Sequence, residues 1–105
     1  MIFNNNKVIS KKEKYCKSMF SQGLGLMFSR KKNLIMEFPD ERIISLHNFF
    51  VFYPIDVLIL NKNKKIIEIK KDFKPFTLWK SEKKGKYVVE LAFKENYHTG
   101  DKLNF

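Results

Sequence analysis

The stretch Ser45-Leu46-His47-Asn48-Phe49-Phe50-Val51-Phe52-Tyr53-Pro54-Ile55-Asp56-Val57-Leu58-Ile59-Leu60 decides the fold class of this chain. Almost every residue in it is β-branched, aromatic or aliphatic, the types that fit a pleated, packed surface. Such a run belongs at the centre of a β-rich core. Its few polar side chains, His47 and Asp56 above all, need partners there or a task.

Turn signals mark out further strands on both sides. Upstream, Leu34 to Phe38 reads as a short strand closed by Pro39-Asp40, because proline cannot donate to a ladder. Ile43 to Phe52 forms the next, and Ile55 to Leu60 continues it or pairs beside it. Downstream, the polar loop Asn61-Lys62-Asn63-Lys64 predicts a hairpin into Lys65 to Lys70. Phe73, Phe76, Leu78 and Trp79 fall in a connection punctuated by Pro75. Lys83-Lys84-Gly85-Lys86 reads as a turn into a strand from Tyr87 to Phe93, and Gly100-Asp101 precedes a last strand, Lys102 to Phe105.

At the N-terminal end, Ile2-Phe3 and Val8-Ile9 flank a polar turn at Asn4-Asn5-Asn6-Lys7. Ser10 with Glu13 three residues on forms a capping box. Tyr15, Met19 and Phe20 then follow at helical spacing, which predicts a helix from about Lys11 to Phe20. The expected fold is therefore mainly β: a compact small barrel or sandwich with one N-terminal α-helix, residues 1–105 forming a single domain.

The chain has 105 residues, is 44% hydrophobic and carries a net charge of +10. That length suffices for one core. The positive charge is almost wholly lysine, with Arg30 and Arg42 the only arginines. Lysine is a hydrated point charge and lacks the planar fork that reads bases and phosphates, so a solvated surface is favoured over a nucleic-acid face. A single cysteine, Cys16, excludes an internal disulfide and a cysteine-based zinc site. Neither a secretory signal nor an apolar run of the ~18 residues that span a bilayer is present; a cytoplasmic location is expected, with no membrane span.

Gly25-Leu26-Met27-Phe28-Ser29-Arg30, Met36-Glu37-Phe38, His47, Phe52-Tyr53-Pro54-Ile55-Asp56-Val57, Tyr87-Val88-Val89-Glu90-Leu91 and Gly100-Asp101-Lys102-Leu103 form an ordered set. In order and spacing the set resembles the domain-of-unknown-function family 192, over roughly Tyr15 to Phe105. The resemblance implies a compact, mainly β fold with one helix and a biochemical role that is not established. The segment after Leu91 departs from the family's pattern by running straight into Gly100-Asp101. Gln22-Gly23 stands where the pattern has a basic residue.

Among residues that carry chemistry, Asp56 is the sharpest, since its neighbours of both parities are apolar. It either accepts backbone N–H bonds or pairs with Arg30 or a lysine, or it forms the polar floor of a pocket. His47 lies on an aromatic strand, where a satisfied core histidine is the plainer reading, and a metal site with His98 lacks supporting spacing. Gly23-Leu24-Gly25 fits a helix stop better than a phosphate loop. The serines lack a nucleophile-elbow context.

The reading is a non-catalytic cytoplasmic binding module for a small polar or anionic ligand or a protein partner. Arg30 would serve as anion contact and Asp56 as orienting group, with His47 beside them. No catalytic residue, metal or cofactor is assigned. The alternative is a nucleic-acid-binding domain that uses Lys74, Trp79, Lys80, Lys83 and Lys84. A second alternative is an enzyme built on His47 and Asp56.

Overall fold

A computed structural model describes residues 1–11, 13–16, 33–47, 54–74, 77–92 and 95–105. Among these residues eight strands form two sheets: β1 Ile2–Asn4, β2 Lys7–Ser10, β3 Glu13–Cys16, β4 Asn33–His47, β5 Ile55–Leu60, β6 Ile66–Phe73, β7 Leu78–Leu91 and β8 Leu103–Asn104. The smaller sheet has the order β2-β1-β8 and the larger β3-β4-β7-β5-β6. All neighbours are antiparallel except β3 and β4, which run parallel. The expected β-rich architecture is present, but the larger sheet ends in β3 and β6 and does not close into a barrel.

The predicted N-terminal helix is not supported. Glu13–Cys16 forms a strand in register with Asn33–Met36, and the rest of the predicted helix lies outside the described residues, apart from Lys11. A two-turn helix is marginal on its own, whereas an adjacent long strand satisfies the same backbone groups at once.

Two turn predictions also need correction. Pro39 does not end a strand; β4 passes through it where the ladder is interrupted between Glu37↔Tyr87 and Arg42↔Gly85, an irregularity that tolerates a residue without an N–H. Gly85 lies not in a turn but within β7. A Cβ there would come within 2.3 Å of Ile59 Cγ2, so the glycine permits a close crossing of β7 over β5. The hairpins at Asn5-Asn6 and at residues 61–64 are as expected, with Asn5 at φ 57° and Lys64 at φ 63°.

The two faces of the larger sheet are buried differently. On one, Leu58, Leu60, Val89 and Leu91 pack against Ile2, Ile9 and Leu103 of the smaller sheet. On the other, Leu34, Met36, Val57, Ile59 and Val88 form a second apolar cluster that Trp79 packs against.

Strand β7 curls over this second face. Glu68 of β6 accepts the N–H groups of Glu82 and Lys83 at 2.9–3.1 Å, although β5 separates β6 from β7 in the ladder. Ser81 fixes the bulge in the curl, accepting the Ile44 N–H at 2.9 Å and donating to the Lys83 carbonyl at 2.9 Å. The second face is thus the concave interior of a bent sheet.

Candidate functional site

Two carboxyl groups on opposite faces of the larger sheet are the candidates for chemistry. Asp56 stands across from Leu91, on the side of the smaller sheet. Glu90 stands across from both Leu34 and Val57. Directly opposed residues share a face, so Glu90 belongs to the concave interior with Val88.

Asp56 is half-buried and fully engaged. Its Oδ1 accepts the N–H of Asp72 at 3.0 Å, and the Tyr97 hydroxyl donates to its Oδ2. Asp72 has φ 51° and lies where the β5–β6 register slips between Ile55↔Phe73 and Val57↔Lys70. The carboxylate therefore caps a bulge and ties it to the C-terminal segment. Burial, and then the Asp56 acceptor, push the Tyr97 phenol above its ordinary value, and Lys71 Nζ sits 5.4 Å from the Tyr97 ring centroid. This is the backbone-accepting arrangement that the sequence allowed for Asp56.

Glu90 is 6% exposed. The other buried polar residues described are Ser10, Asn33 and Ser81. Each of these is hydrogen-bonded: Asn33 donates to Ser10 Oγ at 2.8 Å and accepts the Ala92 N–H at 2.9 Å, and Ser81 holds the bulge. Among the described residues Glu90 has no such partner. Burial pushes its carboxyl up to about 7, because a charge removed from water without a counter-ion is disfavoured. Near neutral pH the group can donate a hydrogen bond as an acid or receive a cation as a carboxylate.

The remaining predicted residues are placed only in part. Arg30 lies outside the described residues. His47 is placed by its backbone, opposite Leu78 at one end of β7, whereas Asp56 pairs with Leu91 at the other. Lys74, Lys80, Lys83 and Lys84 are exposed and Trp79 is half-buried against the interior cluster. Among the described residues no three His, Cys, Asp or Glu side chains are grouped to hold a metal ion.

Sequence reasoning passed over Glu90. The signal was present in Tyr87-Val88-Val89-Glu90-Leu91, where a carboxylate again has apolar neighbours of both parities.

Elsewhere Glu37, opposite Tyr87 on the side of the smaller sheet, gathers a polar cluster. The Tyr15 hydroxyl donates to it at 2.5 Å and Lys86 Nζ lies 3.4 Å from its other oxygen. Lys64 Nζ donates to the Phe105 carbonyl at 2.9 Å and sits 4.2 Å from the Phe105 ring centroid. Asp101 accepts from Asn4 at 2.9 Å and from the His98 N–H at 2.8 Å, which holds its carboxyl below the usual range. These groups fasten the chain's two ends to the sheets.

The model of the family described as "Uncharacterized ACR", domain of unknown function 192, matches residues 3–105. The UPF0127 protein PH1112 of Pyrococcus horikoshii is 30% identical over 114 residues, covering 100% of this chain and 98% of its own length. A crystal structure from Sinorhizobium meliloti, described as a "putative transcription regulator", has TM-score 0.78 and 20% identity over 88% of this chain and 79% of that one. A protein of unknown function from Novosphingobium aromaticivorans has TM-score 0.73 and 16% identity, over 89% and 74%. At these identities the two structures share the fold.

Proposed function

The chain belongs to the domain-of-unknown-function family 192, and from that premise we propose that it is a non-catalytic binding module. It takes a small polar molecule on the concave face of the larger sheet, at Glu90. The observation that carries this reading is Glu90, a residue 6% exposed whose carboxyl has no partner among the described residues. A carboxyl largely removed from water without a partner is disfavoured in its charged form, and a bound molecule that supplies a partner relieves this. Asp56, with its hydrogen bonds filled, serves the scaffold instead.

The packing of Trp79 against the interior cluster supports this reading over nucleic-acid binding. A stacking platform needs an open aromatic face. The anionic ligand expected from sequence depended on Arg30, which does not enter the described geometry.

The test is a titration of the isotope-labelled protein with n-butylammonium, n-butanol, butyrate and a single-stranded oligonucleotide, followed through the backbone amides. A small probe should saturably perturb Leu34, Val57 and Glu90. If every small probe leaves these amides unmoved while the oligonucleotide shifts those of Lys80, Lys83 and Lys84, the basic strand is the working surface and this reading fails.

A further inference from the structure

We propose a second binding site, for a doubly charged oxyanion of the phosphomonoester type, between Lys65 and Lys102; it is independent of the Glu90 reading.

The backbone dictates the pair. The Leu103 N–H donates to the Lys64 carbonyl at 2.9 Å, and the Ile66 N–H donates to the Asp101 carbonyl at 2.8 Å. Between these two bonds Lys65 and Lys102 stand directly opposite each other as an antiparallel bridge. Bonds that flank a pair in this way make it the non-hydrogen-bonded kind, with Cα atoms only about 4.5 Å apart. The side chains of such a pair leave on one face and are the closest neighbours that a sheet allows. Two ammonium-bearing side chains are thus rooted side by side.

The scaffold beneath them is fixed. Asn61 Oδ1 accepts the N–H groups of Asn63 and Lys65 at 2.9 and 3.1 Å, and the Gly100 N–H donates to the Ile66 carbonyl at 2.8 Å. Ile66 and Leu103, which adjoin the two lysines in the chain, are 1% and 0% exposed. A slip of register would turn these apolar side chains out to water.

Like charges directly opposite each other destabilise a sheet. Both lysines are exposed, and no described acid forms an ion pair with either. Asp101, next to Lys102 in the chain, instead accepts from Asn4 and from the His98 N–H. A compact group with two negative charges neutralises both ammonium groups at once, and lysine meets phosphate as a point charge. A singly charged anion neutralises one, and a cation is repelled. The pair lies beyond Leu60↔Ile66, at the hairpin end of β5, whereas Glu90 stands opposite Val57. Neither site needs the other.

The experiment follows the backbone amides of the full chain at pH 7.5 and matched low ionic strength. The probes are methyl phosphate, the singly charged dimethyl phosphate and a single-stranded oligonucleotide, whose phosphodiesters carry one charge each. Methyl phosphate should saturably shift Lys65, Ile66, Lys102 and Leu103. It should bind about fivefold more tightly than dimethyl phosphate, the worth of one more exposed ion pair. Lys65→Gln and Lys102→Gln should each cost about the same factor, while Lys84→Gln leaves the affinity unchanged. If dimethyl phosphate binds as tightly, or if only the oligonucleotide shifts these amides, the assignment to a doubly charged group is overturned. If both variants bind as the wild type does, or if the shifts spread equally over Lys80, Lys83 and Lys84, the pair is no site and the proposal falls.

Discussion

Asn33 and Glu90 lie on neighbouring strands, both polar and both buried, yet only Asn33 has its hydrogen-bonding capacity met. The difference has a consequence for stability. The Glu90 carboxyl is raised from an ordinary 4.5 to about 7 by burial, so the folded state holds a proton that the unfolded state has released. The associated stability is fully present below pH 4.5 and is lost as pH rises to about 7, beyond which the loss is constant. The shift corresponds to about 3 kcal/mol. Urea denaturation of wild type and Glu90→Gln between pH 4 and 8 should give curves that converge or diverge by that amount across this window. Parallel curves contradict the assignment.

At the scale of the element, the strands that were legible in the sequence are those whose partners are close by. The hairpin of β5 with β6 is written in a polar loop between apolar runs, and the hairpin of β1 with β2 in consecutive asparagines. Strand β3 was not legible, because its conformation is set by Asn33–Met36 and local spacing favoured a helix. The full length of β7 was hidden as well. Gly85 looks like a turn residue until the approach of Ile59 is known. For the site, the parity argument that singled out Asp56 applies equally to Glu90, but only the register shows which carboxyl is satisfied.

That division of roles makes Asp56 a test of the β5–β6 bulge. Asp56→Ala leaves the Asp72 N–H and the Tyr97 hydroxyl without an acceptor and should cost about 1–3 kcal/mol. Asp56→Asn keeps an acceptor for the bulge and should cost less than half as much. Urea midpoints of the two variants measure the difference, and equal losses would remove the bulge-capping role.

Across the whole molecule, the distribution of charge separates an outside from an inside. The net charge of +10 is carried almost wholly by lysines, and Lys80, Lys83 and Lys84 of β7 stand exposed on the curl, where no described acid pairs with them. The concave face behind them is apolar around Glu90, with Glu68 and Lys70 of β6 on the same face. If these lysines are simply solvated, the chain should show only weak polyanion affinity. Anisotropy of a labelled oligonucleotide between 50 and 200 mM salt should therefore change by less than tenfold, where a surface making many phosphate contacts loses about 10³ or more.

The central claim, a carboxyl held inside the bent sheet without a paired counter-charge among the described residues, is open to one direct measurement. A carbon-detected NMR titration of the Glu90 side chain in the ligand-free full chain should give a midpoint near 7. A midpoint at or below 4.5 would mean that this carboxylate is hydrated or already paired, and the site proposed around it would not exist.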